Sequence, residues 1–284
     1  MRFVAFASEG KPALGLRMGD EIVDLTAEGL PASLTALLAQ HDGVAAARAA
    51  AKRAHARRPL AGLAYLPPLV PGKAIAVGLN YVDHAAESPY KNAPTYPVLF
   101  QRYPQSWVAH EADLVRPHVS EQFDYEGELV VVIGTTGRYV ARERALEHVA
   151  GYSIFNDGSI RDYQFKSTQW MMGKNFDATG AFGPEVVTAD ELPEGARGLN
   201  LRTRLSGREL QNANTRDMIF DVPMLVAVCS EAMTLHPGDI IISGTPSGVG
   251  FARKPPIFMK PGDVCEVEVE GIGVLRNRVV DERR

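Results

Sequence analysis

Glu126 and Glu128 are two carboxylates, two residues apart, at the start of an apolar run over residues 129–133. Side chains alternate between the faces of a strand, so the two carboxylates share one face. Such a pair is costly to desolvate, and a bound cation would reverse that cost. The alternative is a strand with an exposed acidic edge. Asp124 would share the face if the strand starts early, although a turn is equally compatible with its position.

Asp157 follows another apolar stretch, within an Asn-Asp-Gly sequence. It could add a third carboxylate ligand, or it could simply form a turn. Arg161 and Gln164 stand four and seven residues further on, so a helix would place them on one face. That face could bind an anionic ligand, or it could be exposed to solvent.

His84 and Glu87 are three residues apart and would touch on a helical turn. A carboxylate beside an imidazole orients it and raises its basicity, which suits a general base for water. A surface helix with incidental polar residues is the alternative.

Lys174 lies among apolar and small residues. A buried lysine near an anion would stabilise charge, whereas an ordinary one would reach solvent along its stem. Thr245 lies in a glycine-rich loop, residues 243–250, that lacks the lysine of a phosphate-binding loop. Its backbone N–H groups could face a carboxylate, or the loop could be a tight surface turn.

The chain has 284 residues and a formal net charge of -4, with both signs spread along it. This distribution argues against a nucleic-acid or anionic-membrane partner. Two cysteines make neither a disulfide framework nor a thiolate zinc site. Without a signal peptide or an apolar run of roughly 18 residues, the expectation is a soluble cytoplasmic protein.

The pattern of elements predicts a small α/β domain over residues 1–70 and a larger domain over residues 71–284. Residues 2–25 predict an antiparallel β unit, and the Ala-rich residues 32–58 predict helix. In the larger domain short strands dominate and regular helices do not separate them. This favours a β-rich α+β fold over a doubly wound one. The proline-punctuated residues 88–97 predict a loop over a site.

Read together, five motifs resemble the fumarylacetoacetate hydrolase family, in particular its bacterial acylpyruvase-like and hydroxymuconate-isomerase-like group. The resemblance covers most of residues 74–280. The motifs are GLNYVDH at 78–84, YEGEL at 125–129, NDGSIRDYQ at 156–164, GKNF at 173–176 and SGTPSGVG at 243–250.

The resemblance implies a mixed β-sandwich roll in the larger domain, a variable N-terminal domain and a homodimer. It also implies one divalent ion held by Glu126, Glu128 and Asp157. Three oxygen ligands without cysteine select a hard cation, so Mg²⁺ is expected, with Mn²⁺ or Ca²⁺ as alternatives.

By the same resemblance, His84 and Glu87 form the water-activating pair, and the expected substrate contacts are Lys174, Arg161, Gln164 and Thr245. Arg102 stands where many relatives carry the lysine of a Phe-x-Lys-Pro run. A planar guanidinium there could bind a second substrate carboxylate or orient the lid.

The reaction expected from these residues is hydrolysis of a C–C bond in a small 2,4-dioxo acid. His84 would activate water, the metal would stabilise the departing enolate, and Lys174 or Gln164 would stabilise the oxyanion. Oxaloacetate decarboxylation and tautomerisation or hydroxymuconate-type isomerisation could use the same centre. A sensor that binds an oxo acid is the alternative that is not an enzyme.

Overall fold

The computed structural model describes residues 1–54, 57–83 and 94–283. Its strands are β1 (Arg2–Ser8), β2 (Lys11–Met18), β3 (Glu21–Asp24), β4 (Arg57–Pro59), β5 (Ala74–Gly78), β6 (Val98–Gln101), β7 (Trp107–Val108), β8 (Leu114–Arg116), β9 (Phe123–Asp124), β10 (Gly127–Ile133), β11 (Val149–Asn156), β12 (Ser159–Ile160), β13 (Gly180–Thr188), β14 (Asn200–Leu205), β15 (Arg208–Asn214), β16 (Ile240–Ile242), β17 (Val264–Val269) and β18 (Gly273–Asp281).

Helices are short in the described residues. The α-helices are α1 (Leu34–Leu38), α2 (Gly43–Arg53), α3 (Arg161–Gln164), α4 (Met171–Lys174) and α5 (Val222–Ala232), and the longest 3-10 segment is Arg142–His148. Helix α5 is capped by Asp221, whose carboxylate accepts from the Met224 N–H. None of these helices is long and apolar enough to cross a bilayer.

Two mixed sheets form the body of the molecule. The larger has the strand order β4-β3-β2-β1-β13-β11-β10-β16-β5-β6, with β7 beside β13, and the smaller has the order β15-β14-β17-β18-β8. Strands β10 and β11 pack on β14 and β17 of the second sheet. The result is the sheet-rich α+β fold that the sequence predicted.

Strand β10 is buried on both faces, which explains its unbroken apolar sequence. Leu129 and Val131 pack in the core between the two sheets. Val130 and Val132 pack on the opposite side, in a cluster that includes Phe3 of the N-terminal strand. A strand in this position holds its register firmly and makes a rigid base for a site.

The N-terminal strands are not a separate sheet. β1 pairs antiparallel with β13, with Phe3 opposite Val186, so β1 to β4 extend the larger sheet. The predicted elements of residues 2–25 are present as β1, β2 and β3. A domain boundary near residue 70 stays a prediction, since the strand pairing crosses it.

Candidate active site

The structure brings together the three carboxylates that the sequence singled out. Glu126 precedes β10, Glu128 is the second residue of β10, and Asp157 directly follows β11. The two strands are antiparallel, with Gly127 opposite Asn156, so the carboxylates meet at one sheet end. All three are buried, and each offers an oxygen within 4.8 Å of the others.

Backbone hydrogen bonds fix this meeting point. The Asp157 N–H donates to the Glu126 carbonyl at 2.8 Å. The Glu126 N–H in turn donates to the Asn156 side-chain oxygen at 3.0 Å. The carboxylates therefore sit on main chain whose position is set by the β10–β11 pairing rather than on a free loop.

Each carboxylate has one oxygen held by a donor of the protein. Arg161 Nη2 lies 2.6 Å from Glu126 Oε1. The Gly244 N–H donates to Glu128 Oε2 at 2.5 Å, so the glycine-rich loop does face a carboxylate. Arg102 Nη1 donates to Asp157 Oδ1 at 2.8 Å.

Lys174 lies at the other oxygens of two of these groups. Its Nζ is 2.5 Å from Glu126 Oε2 and 2.6 Å from Asp157 Oδ2, and only 2% of the residue is exposed. The lysine is therefore buried against anions, as the first of its two interpretations predicts, and does not reach solvent.

Charge is unevenly balanced at Glu128. Burial, followed by the charges of Asp157 and Glu126, raises the pKa of the Glu128 carboxyl well above its ordinary value, and the Lys174 charge and the Gly244 N–H oppose this only in part. An additional cation at this point would relieve the repulsion. The donor set, made of carboxylate oxygens alone, suits a hard divalent ion.

Arg161 is held by Asp124, which is not one of the three expected metal ligands. Asp124 Oδ2 accepts from Arg161 Nε at 2.8 Å, and the same carboxylate accepts from the N–H groups of Gly250 and Phe251. Burial raises the pKa of Asp124, and the Arg161 charge opposes the shift. Its place two residues before Glu126 was the one sequence signal for this role.

Gln164 and Thr245 both line the cleft but make internal hydrogen bonds. Gln164 Oε1 accepts from Arg161 Nη1 at 2.8 Å. Thr245 Oγ1 donates to the Gly127 carbonyl at 3.0 Å and accepts from Gln211 Nε2 at 2.8 Å. Gln211 lies on β15 of the other sheet, and no sequence pattern pointed to it.

Arg102, which was expected at a substrate carboxylate or at the lid, forms an ion pair with Asp157, and a contact with substrate stays a prediction. Its guanidinium is fully buried behind Asp157 and is not among the side chains that line the cleft. The physical reason is electrostatic, because a buried Asp157 needs a partner charge. His84 and Glu87 lie outside the described residues, and their proposed roles stay predictions.

The cleft beside the carboxylates has a polar wall and an apolar wall. It comprises about 430 Å³ of space, part of which is open to solvent. Apolar and aromatic side chains form the second wall, namely Val77, Leu79, Phe100, Phe165, Trp170 and Phe251. The carboxylates and cations of the polar wall suit the charged end of a small molecule, and the apolar wall suits its carbon skeleton.

A family model described as the C-terminal domain of fumarylacetoacetate (FAA) hydrolase matches residues 73–280. The chain belongs to the fumarylacetoacetate hydrolase family. Members of this family therefore provide the comparison for its site.

Three relatives are similar over nearly the whole chain. A human mitochondrial oxaloacetate tautomerase is 37% identical, over 99% of this chain and 92% of its own. The fumarylacetoacetate hydrolase of Exiguobacterium antarcticum is 36% identical, with a TM-score of 0.86 over 99% of this chain and 100% of its own. Maleylpyruvate hydrolase of a Sphingobium species, solved with manganese(II) and pyruvate, is 31% identical, with a TM-score of 0.84 over 100% of both chains.

The names of these relatives indicate that they act on different substrates. The chain is thus a family enzyme whose relatives include a tautomerase and hydrolases, and a divalent metal occurs in the family. The buried acidic triad is the part of the site that such a metal would use.

Proposed function

We propose that this chain is a metal-dependent enzyme that interconverts the keto and enol forms of a small 2-oxo acid, with oxaloacetate as the first candidate. The observation that carries the proposal is the buried triad Glu126, Glu128 and Asp157 with the Lys174 ammonium against it. Enolisation requires stabilised negative charge and a proton transfer, but no attacking water. The similarity to an oxaloacetate tautomerase supports the choice of substrate.

The residues present fit a divalent cation. Glu126, Glu128 and Asp157 would hold Mg²⁺ or Mn²⁺, and the manganese in a related hydrolase supports the class of metal. Such an ion supplies Lewis acidity, which polarises a 2-oxo oxygen and stabilises an enolate.

The protein's own groups supply orientation and proton control. Lys174 places a buried ammonium beside the triad, where developing negative charge would gain most from it. Arg161 holds Glu126 in place, and its guanidinium lies over the Phe251 ring, 4.5 Å from the ring centroid. We assign the transfer of the C3 proton to His84, oriented by Glu87.

Hydrolysis of a C–C bond in a 2,4-dioxo acid is the second candidate. The similarity to maleylpyruvate hydrolase, solved with pyruvate, favours it. In this reaction His84 would deprotonate a water molecule rather than substrate carbon, and Lys174 would stabilise the oxyanion. A site of the same composition serves both reactions, so substrate turnover distinguishes them.

The test measures both reactions on one dialysed preparation. Decay of the enol absorbance of oxaloacetate and cleavage of an acylpyruvate are followed with and without added Mn²⁺. We expect Mn²⁺-dependent enol decay that Glu126→Gln abolishes. Faster acylpyruvate cleavage than enol decay would favour the hydrolase, and full activity without metal would overturn both. His84→Ala should slow either reaction, and an unchanged rate would remove His84 from its assigned role.

A further inference from the structure

Asp157 is divided between two cations. Its Oδ2 faces Lys174 in the cleft, whereas its Oδ1 accepts from Arg102 Nη1 at 2.8 Å. The other N–H groups of the Arg102 guanidinium are hydrogen-bonded as well. Nη1 also donates to the Gly158 carbonyl at 3.0 Å, and both Nε and Nη2 donate to Ser106, to its Oγ and its carbonyl oxygen at 3.1 Å each.

Neighbouring residues restrict the Arg102 guanidinium to one position. The Phe155 ring centroid lies 5.5 Å from its central carbon. On another side stands Gly180, where a Cβ atom would come within 2.4 Å of Nη2. Ser106 is itself fixed, because its hydroxyl donates to the Tyr103 carbonyl at 2.7 Å. Arg102 therefore presents a rigid donor to Asp157 rather than a mobile charge.

A fixed donor on one carboxylate oxygen limits how that carboxylate can bind a cation. With Oδ1 held by Arg102, Asp157 can offer a metal ion only Oδ2, the oxygen that Lys174 occupies in this structure. Glu126 and Glu128 are held in the same way, by Arg161 and by the Gly244 N–H. Mg²⁺ and Mn²⁺ accept single oxygens around a compact octahedron, whereas Ca²⁺ prefers more ligands and often takes both oxygens of a carboxylate.

We infer that Arg102 is a positioning residue that holds Asp157 as a one-oxygen ligand and thereby favours Mg²⁺ and Mn²⁺ over Ca²⁺. The inference rests on the proposed metal centre. It also explains an arginine at this position, because a lysine ammonium lacks the planar fork that binds Asp157, Gly158 and Ser106 together.

The test titrates Mg²⁺, Mn²⁺ and Ca²⁺ into full-length, metal-free protein by calorimetry, without substrate. Arg102→Met should weaken Mn²⁺ and Mg²⁺ binding by roughly 10–100-fold, the usual effect of losing a residue that orients a ligand. Ca²⁺ binding should weaken much less, since a released Asp157 can offer both oxygens. Arg102→Lys should fall between wild type and Arg102→Met.

Arg253→Lys is the control, because Arg253 is only half-buried and donates to the carbonyl groups of Gly248 and Leu210 rather than to a carboxylate of the triad. It should leave all three affinities unchanged. If Arg102→Met lowers the affinities for all three metals by one common factor, the residue is only structural and the inference is overturned.

Ser106→Ala keeps the test decisive if Arg102→Met does not fold. It removes the acceptor of Nε while the guanidinium charge stays, and it should shift the Mn²⁺-to-Ca²⁺ affinity ratio in the same direction by a smaller factor. A folded Ser106→Ala protein with the wild-type ratio would contradict the inference. A wild-type protein that binds none of the metals would instead overturn the proposed function, and the inference with it.

Discussion

Glu128 and Lys174 show how single residues set the properties of this site. Four buried carboxylates of the described residues face three buried cations there: Asp124, Glu126, Glu128 and Asp157 against Arg102, Arg161 and Lys174. Arg102, Arg161 and Lys174 pair with the other carboxylates, and the donor to Glu128 within the described part of the chain is the Gly244 N–H. The site without metal is therefore short of positive charge.

The raised pKa of Glu128 predicts that metal binding releases a proton. In the metal-free protein the Glu128 carboxyl should keep its proton to a higher pH than an ordinary glutamate does, and a cation that binds there must displace that proton. Calorimetry of Mn²⁺ binding in buffers of different ionisation enthalpy measures the release. Glu128→Gln should abolish it and weaken binding, and equal heats in all buffers would contradict the prediction.

The raised pKa of Glu128 also predicts the direction in which the stability of the metal-free protein changes with pH. A carboxyl whose pKa is raised on folding stabilises the folded state at acidic pH, and this contribution is lost as the pH rises through the raised pKa. The metal-free protein should therefore lose stability as the pH rises above the range in which an ordinary glutamate carboxyl titrates. Saturating Mn²⁺ should reduce that loss, which denaturant unfolding at several pH values can measure.

Lys174→Met should separate metal binding from turnover. The ammonium group competes for Glu126 Oε2 and Asp157 Oδ2, so its removal should tighten Mn²⁺ binding. Turnover should fall by roughly 100-fold or more, because a buried charge stabiliser is lost. Lys166→Met changes an exposed lysine between α3 and α4 and should change neither quantity. Weaker metal binding in Lys174→Met would show that the lysine supports the centre instead.

At the scale of elements, the close contact between the two sheets holds the triad in place. Gly127 lies between the two glutamates, and a Cβ atom there would come within 2.2 Å of Thr203 Oγ1 and 2.9 Å of Val267 Cγ1. Gln211 joins the same sheets, since its Oε1 accepts from the Gly127 N–H at 3.0 Å. The second sheet thus determines where Glu126 and Glu128 point.

Gly127→Ala should therefore disturb both stability and metal binding. Overpacking at a rigid contact should destabilise the fold by about 1–3 kcal/mol, measured by denaturant unfolding. Mn²⁺ affinity should fall with it, as β10 is pushed from β14. The double variant Gly127→Ala/Thr203→Ala should regain part of both losses. Wild-type metal affinity in a destabilised Gly127→Ala protein would show that the glycine serves packing alone.

At the scale of the whole molecule, the N-terminal residues are part of the main sheet. Phe3 and Leu14 belong to the same apolar cluster as Phe155 and Phe182 of the strands that carry the site. Removing β1 would expose the edge of β13 and that cluster. An exposed strand edge beside an apolar face promotes aggregation.

Residues 71–284 expressed alone should therefore be poorly soluble or lack cooperative unfolding, in contrast to the full chain. Circular dichroism during heating, compared with the full chain at equal concentration, measures this. A cooperatively folded fragment that binds Mn²⁺ would instead support the independent domain that the sequence predicted. The homodimer and the cytoplasmic location also stay predictions, and light scattering of the purified chain tests the first.

The sequence by itself determined the family, the β-rich class and the acidic groups, because these depend on short motifs and local periodicity. The pairs Glu126–Glu128 and Arg161–Gln164 could be found because their members are close in the chain. Only the tertiary structure decided that Arg102 supports Asp157, and that Asp124 and Gln211 support the site. These contacts join residues 34 to 55 positions apart. They depend on strand pairing and sheet packing, and no local pattern in a single sequence records them.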